Sequence, residues 1–402
     1  MLRGKSKVLV TVLLLVFVAS VLGGCSSKPK TATDNAANVI KIASVTPLSG
    51  SQAALGENIK LGAQMAFDER KAEIEKLGFS LQFAPQDDQA DPKVGVAVAQ
   101  KLVADKDVLA VDGHFNSGVA IPSSEIYAKD NLVMVSPANT AIGITDRKLP
   151  SVNRICARDD VQGPLGADFA AQDLKAKKIF VVHDKTTYGQ AIADEVKARA
   201  PKVGMEVVGY EGITAGESDF SAVLNKVAVV KPDVLYFGGI YPEGSLIIKQ
   251  MKDKGITAKF IGPDGMDDPE EVKIAGQAVI GTFYTSPAAD ISRTPKGKAW
   301  VDSFKAKFGK EPSNWSAYGY DAMNVIIEGL KKAIETNGGK KPTRQQVSEA
   351  VRAVKGLEGI TSTISFDEKG DNKGAKLYVA EFKEAKYPPT VVKEVNAGEF
   401  VK

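Results

Sequence analysis

The stretch VLAVDGHFNSG, residues 108–118, carries the signal that decides the fold. It opens with a short apolar run, continues into turn-forming polar residues, and leads into a predicted helix near Ser117. A second short run, LVMVSPA at 132–138, follows that helix. Strand, polar turn, helix and strand in succession are typical of a parallel α/β sheet.

The same alternation extends in both directions along the chain. Upstream, the strand-like runs IKIASV and LQFAPQDD flank a helix predicted from Lys60, and another helix is predicted after Asp91-Pro92. This first unit ends near residue 157. A second series starts at residue 177, and its strand-like runs are KKIFVVHD, MEVVGYEG, DVLYFGG, KFIGPDG and GTFYTSP. Three long helical segments and the strand-like KLYVAEF follow, and periodicity alone does not assign those helices to either unit.

Composition narrows the class of protein. The 402 residues are 44% hydrophobic and 25% charged, which is typical of a soluble globular chain of two or three domains. Lys and Arg number 52 against 49 Asp and Glu, so the formal net charge is only +3. Three of the positive charges, Arg3, Lys5 and Lys7, precede the apolar segment 8–22. The chain therefore offers no broad basic field, and we expect no nucleic-acid partner.

The first 39 residues are predicted to be a targeting segment followed by a flexible tether. The apolar segment 8–22 is shorter than the roughly 20 residues that span a bilayer as a helix, and it ends in small residues, so 1–24 is predicted to be a cleaved secretory signal. The sequence LGGC resembles a bacterial lipobox, which implies lipidation of Cys25. Residues 25–39 are small and polar, as expected of a lipidated flexible tether.

The chain lacks the residue sets that metal binding and phosphate binding require. The chain has two cysteines and two histidines, His114 and His183, which do not form a metal-ligand set. With Cys25 lipidated, Cys156 is predicted to be a buried apolar residue. No phosphate-binding glycine motif occurs either. From these two observations we expect neither a cofactor nor a metal. A secreted α/β hydrolase using Ser117 or Ser136 with His183 stays open as a remote alternative.

Polar residues follow three of the predicted strands, where α/β sheets place their ligands. Ser117 lies at the start of a helix, where a hydroxyl and backbone N–H groups can meet a carboxylate. Ser136 and Thr140 follow the next strand. Asp264 follows KFI in the second series and suits an ammonium group. Each is also consistent with a helix cap or a turn, but together they describe a receptor for a zwitterion.

At these residues the chain resembles the Leu/Ile/Val-binding proteins of ABC importers, a group of type I periplasmic binding proteins. The resemblance runs from Ile40 to about Val379 through ordered matches such as IKIASVTPLSGSQAALGE, HFNSGVAIPSSEIY, MVSPANTA, VVHDKTTYGQ and FDEKGDNKG. It implies two doubly wound α/β lobes joined by three crossover strands. The first lobe would comprise 40–157 and 286–376, and the second would comprise 158–285 and 377–402.

The resemblance also implies roles for individual residues. Ser117 and Thr140 would bind the ligand's α-carboxylate, and the Ala138 carbonyl and the Asp264 carboxylate would bind its ammonium group. Tyr188 would belong to the second-lobe wall. The remaining implied ligand-binding residues are apolar or aromatic and would surround the ligand's side chain: Leu55, Phe115, Ile240 and Trp315.

This chain departs from the family pattern at a few positions. Leu55 and Ile240 fall where some members have tyrosine, so the cleft is more apolar here. Asp264 falls where glutamate is common and is one methylene shorter. Some members have a disulfide whose cysteines fall on Ala90 and Asn116, so that bridge is absent from this chain.

Taken together, the sequence predicts a non-enzymatic, extracytoplasmic, lipid-anchored monomer. It would capture a neutral, branched-chain L-amino acid and deliver it to an ABC permease driven by separate ATPase subunits. The alternatives within this fold are another amino acid, an amide or an aromatic acid as ligand, or a sensory role.

Overall fold

A computed structural model describes residues 38–288 and 290–397. The predicted signal, Cys25 and most of the tether lie outside these residues. In the described part, fourteen strands form two large sheets and one small hairpin. The strands are β1 (Val39–Thr46), β2 (Ser80–Asp87), β3 (Val108–Gly113), β4 (Val133–Ser136), β5 (Val152–Arg154), β6 (Lys178–His183), β7 (Glu206–Gly212), β8 (Val234–Gly238), β9 (Lys259–Gly262), β10 (Phe283–Ser286), β11 (Leu357–Glu358), β12 (Thr363–Ile364), β13 (Lys376–Glu381) and β14 (Thr390–Asn396).

Eleven α-helices alternate with these strands in the described residues. They are α1 (Ala53–Glu75), α2 (Pro92–Ala104), α3 (Ser117–Lys129), α4 (Asp159–Gln172), α5 (Thr187–Arg199), α6 (Ser221–Val230), α7 (Tyr241–Asp253), α8 (Glu270–Ala275), α9 (Pro295–Phe308), α10 (Asn314–Thr336) and α11 (Arg344–Arg352). None of them combines the length and the hydropathy needed to cross a membrane.

The first sheet is wholly parallel, with strand order β2-β1-β3-β4-β5. Every residue of β3 and β4 is buried, because helices cover both faces. Helix α10 packs along α1, and both contribute to the core on one face of this sheet. Helix α1 begins at Ala53, seven residues and about two turns before the predicted start, since Leu55 and Ile59 extend its buried stripe.

The second sheet has the order β14-β13-β10-β9-β8-β6-β7. Strands β6 to β10 are parallel to one another, whereas β13 pairs antiparallel with β10 and β14 pairs antiparallel with β13 at one edge. Helix starts carry the expected caps: the Asp91 carboxylate accepts from the N–H groups of Lys93 and Val94, and the Thr186 hydroxyl accepts from Gly189 N–H.

The chain passes between the two sheets three times: between β5 and β6, after β10, and before β13. The predicted α/β class with two parallel sheets is confirmed. Strands β5 and β14 and helix α4 lie in segments for which the sequence indicated no element. The carboxyl ends of β3 and β4 in one sheet and of β6, β8 and β9 in the other carry the loops that form the site described next.

Candidate functional site

A cavity of about 310 Å³ lies between the loops that follow the strands of the two sheets. Both sheets contribute side chains, as expected for a ligand cleft at the carboxyl ends of parallel strands. Its lining residues are Gln52, Ala90, Pro92, Phe115, Asn116, Ser117, Gly118, Val119, Ala138, Asp184, Lys185, Thr186, Thr187, Tyr188, Ala215, Ile240, Asp264 and Gly265.

One side of the site is uncharged, and we call Ser117, Ala138 and Thr140 the neutral wall. Ser117 is the first residue of α3, and its hydroxyl accepts a 3.4 Å hydrogen bond from the N–H of Ala141. That contact ties the start of α3 to the turn that follows β4. The same turn is held by Asn139, whose amide donates to the Phe115 carbonyl at 2.6 Å. The neutral wall thus presents hydroxyl and carbonyl groups on a braced backbone.

The other side is acidic, and we call Asp159, Gln162, Tyr188 and Asp264 the acidic wall. Tyr188 and Asp264 line the cavity, whereas Asp159 and Gln162 are buried outside its lining. Asp159 adjoins the neutral wall, since its N–H donates to the Thr140 carbonyl at 3.0 Å. The Asp264 Oδ1 atom accepts from the Tyr188 hydroxyl at 2.5 Å and from the Gln162 amide at 2.7 Å. The Tyr188 oxygen in turn accepts from Gly265 N–H at 3.0 Å. Among the residues that the structure describes, no side-chain donor reaches Asp264 Oδ2. One oxygen is therefore fixed, and the other keeps its acceptor capacity.

Burial dominates the electrostatics of the acidic wall. It raises the pKa of Asp264 to about 6, against the opposing hydrogen bonds from Tyr188 and Gln162. Burial likewise raises the pKa of Asp159 well above its usual range, and the nearby charge of Asp264 adds to this rise. Neither buried Asp159 oxygen makes a hydrogen bond of good geometry within 38–288 and 290–397, although the nearby Thr140 hydroxyl and the Arg154 guanidinium favour its ionised form. Asp264 has no cationic partner among the described residues and is therefore suited to a positively charged group.

The predicted ligand-binding residues do not all lie on the cavity surface. Ser117, Ala138, Tyr188 and Asp264 line it, together with the apolar side chains Phe115 and Ile240. Three others lie behind this lining as fully or almost fully buried residues: Leu55, Thr140 and Trp315. The Trp315 ring packs edge-on against Phe115 with centroids 5.8 Å apart, so it supports the apolar flank from behind.

Contacts across the cleft hold its two sides together. The Tyr241 hydroxyl donates to the Ser51 carbonyl at 3.0 Å, and the Asn314 amide donates to both Asp267 oxygens at 3.1 and 3.2 Å. At Gly118 the two sides approach so closely that a Cβ atom would lie 3.1 Å from Thr187 Oγ1. A larger residue at this position would therefore require the Thr187 side chain to shift by a few tenths of an ångström where the start of α3 meets the start of α5.

Two members of the acidic wall were not anticipated from the sequence. Asp159 and Gln162 lie on α4, and both are almost completely buried. The available signal was the run DDVQG, in which charged and amide side chains stand immediately after a predicted unit boundary. Ala90 and Asn116, the two positions of the missing disulfide, both line the cavity.

The groups required for a hydrolase are not assembled. The His183 Nδ1 atom accepts from Lys185 N–H at 3.1 Å, and its ring packs against Tyr210. The Ser136 hydroxyl donates to Asn139 Oδ1 at 2.7 Å. Cys156 is buried as predicted, and its thiol points to the Asn139 carbonyl at 3.5 Å. The described residues contain no group of three His, Cys, Asp or Glu side chains that could hold a metal ion.

This geometry defines a solute-binding cleft between two α/β units, and comparison with known proteins gives the same class. The model of the family described as periplasmic binding protein matches residues 39–387. Leu/Ile/Val-binding protein homolog 2 of Brucella abortus is 40% identical over 325 residues, which cover 81% of this chain and 85% of the relative. A leucine-, isoleucine-, valine-, threonine- and alanine-binding protein of Pseudomonas aeruginosa is 38% identical over 348 residues, covering 86% and 91% of the two chains.

Solved structures agree with the sequence relatives. The leucine-binding protein LivK of Thermotoga maritima superposes with a TM-score of 0.81 at 28% identity, covering 90% of this chain and 99% of that one. The chain belongs to the periplasmic binding protein family. The predicted family resemblance and type I fold are confirmed.

Proposed function

We propose that this protein binds a neutral branched-chain L-amino acid between its two sheets. The observation that carries the proposal is the buried Asp264 carboxylate facing a cavity whose other side holds Ser117 at a helix start. One side suits an ammonium group and the other a carboxylate, and both line the same cavity of about 310 Å³. A ligand without an amino group would leave Asp264 buried and uncompensated.

The ammonium group would lie on the acidic wall. Its three N–H donors would be met by Asp264 and the Ala138 carbonyl, whose residues line the cavity, with the buried Asp159 as a further acceptor. The carboxylate would lie on the neutral wall against Ser117 and Thr140, where the N-terminus of α3 adds a favourable dipole. Charge-assisted hydrogen bonds of this kind are the stronger ones, so they would set most of the affinity.

An aliphatic side chain fits the remaining surface. Phe115 and Ile240 line the cavity and are backed by Leu55 and Trp315. The relatives named above for leucine, isoleucine and valine support this choice of ligand. A second candidate is a hydroxylated amino acid such as threonine, since the relative from Pseudomonas aeruginosa is also named for threonine and Asn116 lies in the lining.

The remaining parts of the proposal concern the whole protein. The two lobes would be 40–157 with 286–376 and 158–285 with 377–402, and they would close on the ligand and present it to an ABC permease with separate ATPase subunits. The chain would act as a monomer held outside the cytoplasm by lipid on Cys25. A labelled fatty acid supplied to the producing cells should then be incorporated into the wild-type chain but not into Cys25→Ser, and labelling of both chains or of neither would contradict the anchor.

Calorimetric titration of the full-length chain in detergent tests the ligand. The protein is unfolded and refolded first so that any carried ligand is removed, and it is then titrated with each of the twenty amino acids. Saturable one-to-one binding of leucine, isoleucine or valine is expected. Binding of a different amino acid would keep the zwitterion site and reject the branched-chain assignment, and silence from a folded sample would reject both.

A further inference from the structure

Arg154 is a fully buried arginine that does not line the cavity but contacts the turn behind the neutral wall. Its Nη1 atom donates to three consecutive carbonyls, those of Asn139, Thr140 and Ala141, at 3.1, 2.8 and 2.8 Å. Its Nη2 atom donates to the Thr145 hydroxyl at 2.8 Å. One guanidinium therefore fixes the orientation of successive peptide groups in the turn that carries Thr140.

The orientation of those carbonyls determines where the N–H groups point. In a trans peptide the C=O and the following N–H point in opposite directions. With the Asn139 and Thr140 carbonyls directed at Arg154, the N–H groups of Thr140 and Ala141 are directed away from it. The Ala141 N–H indeed points to the Ser117 hydroxyl, which lines the cavity. Hydrogen bonds from a cation to the carbonyls also polarise these peptides and strengthen their N–H donors.

Arg154 is itself held by a residue far along the chain. Its Nε atom donates to Asp371 Oδ1 at 2.5 Å, and Arg158 contacts the other Asp371 oxygen at 2.9 Å. Burial opposes ionisation of Asp371, but the two guanidinium groups outweigh it and lower the pKa of Asp371. Gly370 adopts a φ of +100°, and a Cβ there would lie 2.3 Å from the Val152 carbonyl. Only glycine lets this segment approach β5 closely enough to place Asp371.

We propose that Arg154, fixed by Asp371, is a positioning residue that aims the Thr140 N–H at the carboxylate of the bound ligand and, through the Ala141 N–H, holds the Ser117 hydroxyl that faces the same carboxylate. The inference rests on the proposed function, because it assigns the carboxylate to the neutral wall. Under this proposal Arg154 acts through the turn and does not contact the ligand itself. Loss of Arg154 should weaken recognition of the ligand's carboxylate while leaving the ranking of leucine, isoleucine and valine unchanged, since the apolar flank is untouched.

The test compares Arg154→Lys with Arg344→Lys in the full-length chain. Arg344 is a matched control, because it is also buried in the part of the chain that packs on the first sheet and donates to the carbonyls of Leu102, Val103, Asp105 and Val108. Lysine keeps the charge but cannot span three carbonyls. Leucine affinity should fall about tenfold in Arg154→Lys and stay unchanged in Arg344→Lys.

A second ligand separates positioning from general damage. Leucinamide lacks the charged carboxylate, so its affinity should change far less than that of leucine in Arg154→Lys. Equal losses for the two ligands, or unchanged leucine affinity, would overturn the proposal. If Arg154→Lys does not fold, Asp371→Asn takes its place, since it weakens the anchor of Arg154 without changing Arg154 itself, and about a threefold selective loss for leucine is expected.

Hydrogen exchange provides a readout that needs no ligand. Amides of residues 138–141 should exchange faster in Arg154→Lys than in wild type or in Arg344→Lys. If the wild type binds no amino acid, the proposed function fails, and exchange alone decides whether Arg154 orders the turn. Unchanged exchange at 138–141 would reject the positioning role.

Discussion

The neutral wall and the acidic wall of the cleft achieve polarity in different ways. The neutral wall uses a helix start and a turn whose peptide groups are fixed from behind by Arg154. The acidic wall uses carboxylates, Asp159 and Asp264, that are buried with their charge only partly satisfied. The turn's carbonyls in the first arrangement are satisfied by Arg154 within the protein itself, whereas the second arrangement gains most when a cation is added.

This difference means that the two walls should respond unequally to mutation. Removing a hydroxyl from the neutral wall leaves other donors in place, including backbone N–H groups. Removing a carboxylate from the acidic wall removes the charge that a ligand's ammonium group would meet. The predictions below test this inequality in order of the expected size of the effect.

The largest effect is expected for Asp264→Asn. The amide is nearly isosteric and keeps an acceptor for Tyr188 and Gln162, but it carries no charge. Leucine affinity should fall about a hundredfold, because a charge-assisted bond in a water-excluded site is lost. Calorimetric titration measures the change, and normal leucine binding by the variant would remove Asp264 from the site.

Thermal unfolding across a pH series provides the control for that variant. The pKa of Asp264 is raised to about 6 in the folded chain, so stability linked to its protonated form is lost as pH rises through 6. The asparagine variant has no such loss. Without ligand, it should therefore become more stable relative to wild type between pH 5 and pH 8, and a constant difference would contradict the burial of this charge.

The second effect is a pH dependence of leucine binding. The ammonium group needs an ionised Asp264, and protonation of that carboxylate competes with binding below pH 6. Affinity should fall about tenfold between pH 7 and pH 5. Titrations at matched ionic strength measure it, and the decline should be strongly reduced in Asp264→Asn. A wild-type affinity that does not change over this range would show that the carboxylate is ionised throughout.

A smaller effect is expected for Ser117→Ala. One hydrogen bond from an uncharged hydroxyl to the ligand's carboxylate is lost while backbone N–H groups at the start of α3 remain, so leucine affinity should fall about fivefold. Leucinamide affinity should change less, because its amide interacts less strongly with this side of the site. A loss as large as that of Asp264→Asn would break the contrast between the two walls.

The smallest effect should come from the apolar flank that both walls share. Phe115→Leu shortens a side chain that lines the cavity and contacts Trp315. We expect about a threefold change in the ratio of leucine to valine affinity, corresponding to part of one buried methylene group. Competition titrations with the two amino acids measure the ratio, and alanine affinity should not change.

The sequence was most informative where local pattern and tertiary role coincide. Strands β3, β4, β6 and β8 are apolar runs that end in turn residues, and each lies within one or two residues of its predicted position. Polar residues after β3, β4 and β9 were singled out because parallel strands bring their carboxyl ends to one edge. That rule holds here without reference to any relative.

The elements and site residues that the sequence did not predict lie where the hydrophobic pattern is weak or absent. Helix α4 contains Gly163 and Pro164 and is buried on nearly every side, so it shows no amphipathic stripe. Asp159 and Gln162 were overlooked for that reason. Strand β5 has only three residues, and the exposure of β14 alternates along an edge, so neither gives a strong signal. The role of Arg154 depends on contacts with Asp371, more than two hundred residues away.

The charge of the acidic wall bears on whether the unloaded protein could close and dock on a transporter. If the proposed lobes come together without an amino group between them, the buried Asp264 charge would have no cationic partner, which is costly unless a proton is taken up. Closure would then be conditional on cargo, because the ligand's ammonium group would supply the missing charge. Such a device would limit idle docking, in which an unloaded carrier occupies the permease and triggers ATP hydrolysis with nothing to deliver.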